Sequence, residues 1–242
     1  MKGNQKIGIT AEFVAIIKSK ENSDYLLFVS TKTKRLFIVF NFIFRGVLSN
    51  IFQSRLELSS CMKRLIYSEK PRNIFNLGAG FSLDGFNSKN VNYYDLDFPK
   101  VINLKKFFLE KICSSKGRIS SRRYHLIESD LLKDYFVKKK GKSVFFAEGV
   151  ASYLNQEEFH KFIQNIFRNM KSKDVFIYNE RRSKERSLSY GILRGFMSLL
   201  SRSKSYTHFT SEENAKNYFL DFGFSQVVFL EKRGFNILKL VK

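Results

Sequence analysis

Five short apolar runs punctuate this chain, at about 72–77, 91–96, 124–129, 143–148 and 175–178. Stretches with helical spacing lie between several of them, a pattern that predicts βαβ units and a parallel sheet. Pro99 opens a helix to about Lys111, where a missing N–H is tolerated. Asn155, with Glu158 three residues on, marks a capping box. Phe159, Phe162, Ile163, Ile166 and Phe167 then recur at helical spacing as a core stripe. A last helix at 211–222 stops at Gly223. Two final apolar runs, 225–230 and 235–241, are joined by Glu231-Lys232-Arg233-Gly234. A parallel crossover needs roughly a dozen residues, so this connection forces an antiparallel hairpin. Residues 1–68 read as helical, with Ala11, Val14, Ala15 and Lys18 on one face, and Pro71 marks entry to the sheet.

The first apolar run enters Gly78-Ala79-Gly80, and the second ends on Asp97. Glycines there let a nucleoside approach the backbone, and an acid at the next strand's end takes ribose hydroxyls. The spacing fits nicotinamide dinucleotides and S-adenosylmethionine. A dinucleotide site wants a third small residue three places after Gly80, where Leu83 stands, and Gly85 is out of register. No basic residue closely follows the turn to meet phosphates, which favours the unphosphorylated nucleoside. Gly78, Asp97, Asp130, Glu148 and the stretch from Tyr178 to Glu180 all fall at predicted strand ends, where open α/β sheets bind ligands.

Several blocks carry a family resemblance: Asn76-Leu77-Gly78-Ala79-Gly80, Tyr94 to Ile102 with Lys105, Ser129-Asp130-Leu131-Leu132, and Phe145 to Leu154 containing Glu148-Gly149-Val150 and Tyr153-Leu154. With Thr10-Ala11, Lys18 and Glu21 they resemble the leucine carboxyl methyltransferase family, a branch of class I S-adenosylmethionine-dependent methyltransferases, over about residues 8 to 182. The resemblance implies a Rossmann-like α/β fold with seven strands in the order 3-2-1-4-5-7-6 and a C-terminal antiparallel hairpin. It implies S-adenosylmethionine as cofactor, with Asp97 on the ribose and Asp130 and the Leu131 backbone on adenine. It places Glu148 near the amino-acid ammonium and Lys18 at the carboxylate. Two departures bear on affinity and substrate choice: Asp84 stands about where the family has an Arg, and Lys18 replaces the family's N-terminal Arg.

Methyl transfer from a sulfonium needs mainly an aligned nucleophile. A carboxylate acceptor needs no base, whereas a hydroxyl does. Tyr153 and Tyr178 are the candidate catalytic residues, with Glu180 a further local base. Arg181 and Arg182 are candidates for clamping an anionic acceptor. The segment 183–206 and the N-terminal helices are expected to shape the acceptor pocket. The expected activity is O-methylation of a small molecule or an exposed carboxylate; a nucleic-acid methyltransferase and a non-catalytic S-adenosylmethionine-binding protein remain open.

Length and charge refine this. The 242 residues fit one domain, with 1–68 as helical cap and 69–242 as core. A net charge of +21 points to an anionic partner (nucleic acid, acidic lipid or acidic substrate) or to a solvated basic surface. Two cysteines imply neither a disulfide framework nor a zinc site, and the three scattered histidines lack metal-ligand spacing. The start lacks a signal-peptide pattern, so a cytoplasmic, reducing location is expected. The most apolar run, 36–44, is too short for a bilayer span. With Arg35 and Arg45 flanking it, it reads as a buried helix or, alternatively, as an interfacial one.

Overall fold

The computed structural model describes residues 7–43, 45–117, 121–133, 139–181, 206–232 and 235–242. Three helices come first, α1 (Ile7–Lys18), α2 (Thr31–Ile43) and α3 (Arg45–Ser68), with a 3-10 turn at Ser23–Phe28 between α1 and α2. Then follow β1 (Asn73–Leu77), α4 (Asp84–Asn87), β2 (Asn92–Asp97), α5 (Pro99–Lys116), β3 (Tyr124–Glu128), β4 (Ser143–Ala147), α6 (Gln156–Asn169) and β5 (Val175–Arg181). The chain closes with α7 (Glu212–Phe222), β6 (Gln226–Lys232) and β7 (Phe235–Val241).

The strands form one sheet in the order β3-β2-β1-β4-β5-β7-β6. The first five pair in parallel, and β7 runs antiparallel between β5 and β6. This is the order that the family resemblance implies, with the hairpin that the short 231–234 link predicts. Strand β1 is central and buried along its length, as a parallel strand covered on both faces must be.

Side-chain alternation separates two cores. Phe75, Tyr94, Phe145, Phe176 and Tyr178 pack on one face against Phe159, Phe162 and Ile166 of α6 and Phe219 of α7. Their rings stack across strands, Phe75 lying 4.6 Å from Phe145 and 4.7 Å from Tyr94. Ile74, Tyr93, Val144, Phe146 and Ile177 pack on the other face against Leu58, Met62 and Ile66 of α3. The capping box forms as expected: Glu158 N–H donates to Asn155 Oδ1, and Asn155 N–H donates to Glu158 Oε2, both at 2.9 Å.

Three expectations shift. Helix α5 runs on to Lys116, and β5 extends to Arg181 because β7 pairs with it through Phe235. The segment 183–206 lies, except for Tyr206, outside the described residues. The buried reading of 36–44 is corrected: Phe37 of α2 packs on Phe13 of α1 at 5.9 Å, while Ile38 and Phe42 face outward at 66% and 80% exposure.

Candidate functional site

The β1–α4 connection stays bonded to the end of β2. Gly78 and Ala79 N–H both donate to the Leu96 carbonyl, at 2.8 and 3.1 Å. Gly78 and Gly80 adopt φ of 70° and 50°, where a side chain is strained. At Gly78 there is also no room, since an added Cβ would lie 2.4 Å from Val150 Cγ2 and 3.9 Å from Leu131 Cδ1. The loops after β3 and β4 therefore close directly onto the glycine turn.

Asp97 ties that turn from the neighbouring strand. Gly80 N–H donates to its Oδ2 at 2.7 Å, and Phe98 N–H donates to its Oδ1 at 2.8 Å. Burial pushes the carboxyl up from its ordinary range, while these two N–H groups and Lys105 pull against burial. Each oxygen keeps acceptor capacity beyond its one backbone bond.

Two residues upstream, Asp95 lies fully buried in a set to which sequence reasoning gave no role. It accepts from Lys105 Nζ of α5 at 2.6 Å, Tyr124 Oη of β3 at 2.6 Å and Asn76 Nδ2 of β1 at 2.7 Å. Burying a carboxylate demands such pairing. One anchor thus joins three strands and a helix directly beneath Asp97. The signal was the presence of Asn76 and Asp95 deep in the first two runs, with Lys105 ten residues after Asp95.

Lys18 and Glu148 come from the two ends of the predicted pattern and meet. Lys18 Nζ lies 3.4 Å from Glu148 Oε2, with the side chains only 9% and 17% exposed. Burial works against the Lys18 charge, but Glu148 and then Asp84 outweigh it and hold the ammonium above its ordinary range. Asp84, where the resemblance leads one to expect an Arg, pairs with Lys63 of α3 at 2.8 Å. Its burial opposes ionisation, and Lys18 and Lys63 overcome that to lower its pKa. Burial and then Asp84 push the Tyr25 hydroxyl up to about 12, and that hydroxyl accepts from Leu83 N–H at 3.1 Å. The departure at Asp84 therefore forms an alternating chain, Glu148, Lys18, Asp84, Lys63, that fastens the helical prelude to the glycine turn. A cavity of about 290 Å³ between α3 and the sheet touches the same groups, with Lys63, Asp84 and Glu148 beside Met62, Tyr93 and Phe146.

The remaining predicted residues scatter. Asp130 sits partly exposed in the turn after β3, accepting from Leu132 N–H at 3.1 Å and pairing with Lys133 at 3.3 Å. The Leu131 carbonyl accepts from Asn165 Nδ2 at 3.2 Å. Tyr153, in a 3-10 turn after β4, is 45% exposed. Tyr178 is fully buried, its ring against Phe159, Phe176 and Phe219, because alternation on β5 turns it into the α6–α7 core. Arg181 ends β5 with its side chain outside the described residues, and Arg182 lies outside them altogether.

Glu180, also on β5, is buried, and its Oε1 accepts the N–H groups of His208 and Phe209. Burial pushes its carboxyl up to about 7 against the pull of those two donors. His208 stacks on Phe159 at 3.9 Å, with Nε2 2.9 Å from the Ala151 carbonyl. Asn179 Oδ1 accepts from Gly149 N–H at 2.7 Å. The ends of β4 and β5 and the segment leading to α7 are thereby locked together.

No family model and no curated protein matches the chain. Solved structures do. A Nostoc punctiforme protein provisionally described as an O-methyltransferase aligns with a TM-score of 0.57 at 12% identity, over 77% of this chain and 56% of its own. Human N-acetylserotonin methyltransferase, in complex with S-adenosylmethionine, aligns at 0.52 and 15%, over 84% and 58%. The magnesium protoporphyrin IX methyltransferase of Synechocystis, with bound S-adenosylhomocysteine, aligns at 0.54 and 14%, over 78% and 83%. The chain spans just over half the length of the first two. With the strand order, these likenesses establish the class I methyltransferase fold.

Proposed function

We propose that the chain is an S-adenosylmethionine-dependent O-methyltransferase of the leucine carboxyl methyltransferase type, acting on a small molecule or an exposed carboxylate. The observation that carries this reading is the Lys18–Glu148 pair beside a glycine turn closed by Asp97. The cofactor has a zwitterionic amino-acid end and two ribose hydroxyls. Lys18 and Glu148 offer one charge of each sign, and Asp97 offers acceptor sites to hydroxyl donors. Asp130 and the Leu131 backbone, at the end of β3, would take the adenine. The solved neighbours with bound S-adenosylmethionine or S-adenosylhomocysteine support S-adenosylmethionine as the cofactor.

S-adenosylmethionine supplies, when bound, a methyl group on a sulfonium that leaves without protonation. The residues of the chain then bind and orient. Asp97 fixes the ribose, Lys18 and Glu148 hold the amino-acid end, and the acceptor must reach the methyl in line. A carboxylate acceptor is ionised at neutral pH and asks only for a cationic partner, a role open to Arg181, the last residue of β5, and to Arg182, which follows it in the sequence. Tyr153, in the 3-10 turn after β4, is the residue within this reading that would meet a hydroxyl acceptor.

Incubation of the purified protein with radiolabelled S-adenosylmethionine and a fractionated host lysate tests this. Label in small molecules or protein is expected, and base-lability would mark a methyl ester. Label in nucleic acid would overturn the acceptor class. No binding of S-adenosylmethionine would overturn the reading altogether.

A further inference from the structure

Helix α2 turns part of its apolar side outward. Ile38 and Phe42 stand four residues apart, hence on one face of the helix, and are 66% and 80% exposed. Single exposed apolar residues are ordinary; a pair on one helix face in this charge setting is not. Lys32, Lys34 and Arg35 are exposed in the first half of the same helix. Between Asp24 and Glu57 the chain has no acid and five basic residues. At the chain's average of 22 acids in 242 residues, roughly three would fall in a stretch of that length. The 3-10 turn before α2 adds Leu26 and Leu27 at 38% and 40% exposure.

We infer that α2 is a docking face for an anionic lipid surface, with Ile38 and Phe42 entering the acyl boundary and Lys32, Lys34 and Arg35 meeting the headgroups. Apolar side chains beside a basic stretch are the composition of an interfacial helix. Among the described residues no helix is long and apolar enough to cross a membrane, so this helix lies on the surface. A second copy of the chain fits worse, because a two-fold contact through α2 sets the same basic residues against each other. Nucleic acid also fits worse, because a branched aliphatic side chain such as Ile38 gives no flat face for a base. The net charge of +21 draws the whole molecule toward an anionic surface, and α2 supplies what charge alone does not, apolar insertion.

Cosedimentation of the full chain at physiological salt tests this, with vesicles of phosphatidylcholine alone or mixed with phosphatidylglycerol. The mixed vesicles are expected to bind at least tenfold more tightly. Ile38→Ser with Phe42→Ser, which alters no charge, should weaken that binding at least tenfold with circular dichroism and melting temperature unchanged, because both side chains are mostly in solvent. Replacing Lys32, Lys34 and Arg35 by Gln should weaken it on the order of a hundredfold, each basic residue near an anionic surface being worth about fivefold. Vesicle binding unaltered by the two Ser substitutions would overturn the inference, since general surface charge would then account for it. So would absence of vesicle binding, whether with salt-steep RNA binding or with a dimer that Phe42→Asp dissolves.

Discussion

Lys18 and Glu148 face each other at 3.4 Å although 130 residues separate them in the chain, one at the end of the first helix and the other past the end of β4. If this pair receives the amino-acid end of the cofactor, Lys18→Met lowers affinity for S-adenosylhomocysteine at least tenfold, the scale of one lost charged hydrogen bond. Affinity for methylthioadenosine, which lacks the carboxylate and ammonium, stays unchanged. Lys18→Arg keeps most of the affinity for both. Calorimetric titration of the two ligands against the three proteins separates this from a general loss of fold, which lowers both affinities together.

Asp97 is expected to act through the ribose. With its two oxygens already on the N–H groups of Gly80 and Phe98, it is fixed before any ligand arrives. Asp97→Ala should cut S-adenosylmethionine affinity about a hundredfold, and Asp97→Asn about tenfold, since the amide keeps one acceptor oxygen. In the native protein, removing the ribose hydroxyls from the ligand should cost a similar factor; in Asp97→Ala it should cost nothing further, because the partner is gone. Additive losses in that cycle would place Asp97 in the architecture of the turn alone.

The parallel units and the hairpin were readable because they rest on run lengths and connection lengths, whereas the sheet order came from the family resemblance. The glycine turn and Asp97 were readable because strand-end chemistry is local in sequence. Asp95 was not, since its meaning depends on Lys105 reaching down from α5 and Tyr124 reaching across from β3. Strand alternation alone did not say that Tyr178 packs under α6 and α7, because both faces of the sheet are covered and either reads the same in sequence. Glu180 stood among the candidate bases, but its partners His208 and Phe209 come after the intervening segment, so its anchoring role had no local signature. Hydrophobicity located α2 and left open which way Ile38 and Phe42 turn.

The buried Asp95–Lys105 pair yields a stability prediction. Lys105→Met leaves the buried Asp95 carboxyl without its cationic partner, held only by Tyr124 and Asn76, and should destabilise by about 3–5 kcal/mol in urea unfolding. Tyr124→Phe removes one hydrogen bond to the same carboxylate and should cost about 1.5–3 kcal/mol. Asp95→Asn combined with Lys105→Met removes both charges and should recover part of the Lys105→Met loss. If the double variant is as unstable as the two single losses added together, the pair is not coupled as its 2.6 Å separation requires.

Glu180 makes stability depend on pH with a sign opposite to that of an ordinary ion-paired acid. Its folded carboxyl is raised from 4.5 to about 7, so between these values the folded chain holds a proton that the unfolded chain has released. Stability from this group is therefore present below about pH 4.5 and is lost as pH rises through 7, by at most roughly 3 kcal/mol. His208 titrates nearby in the opposite sense, its pKa lowered by burial, so the native profile alone is ambiguous. Glu180→Gln isolates the effect, because the amide oxygen still accepts from His208 and Phe209 N–H. The variant should match the native protein in melting temperature near pH 5 and exceed it by several degrees near pH 8. A difference that does not vary with pH would show that Glu180 anchors the segment without titrating in this range.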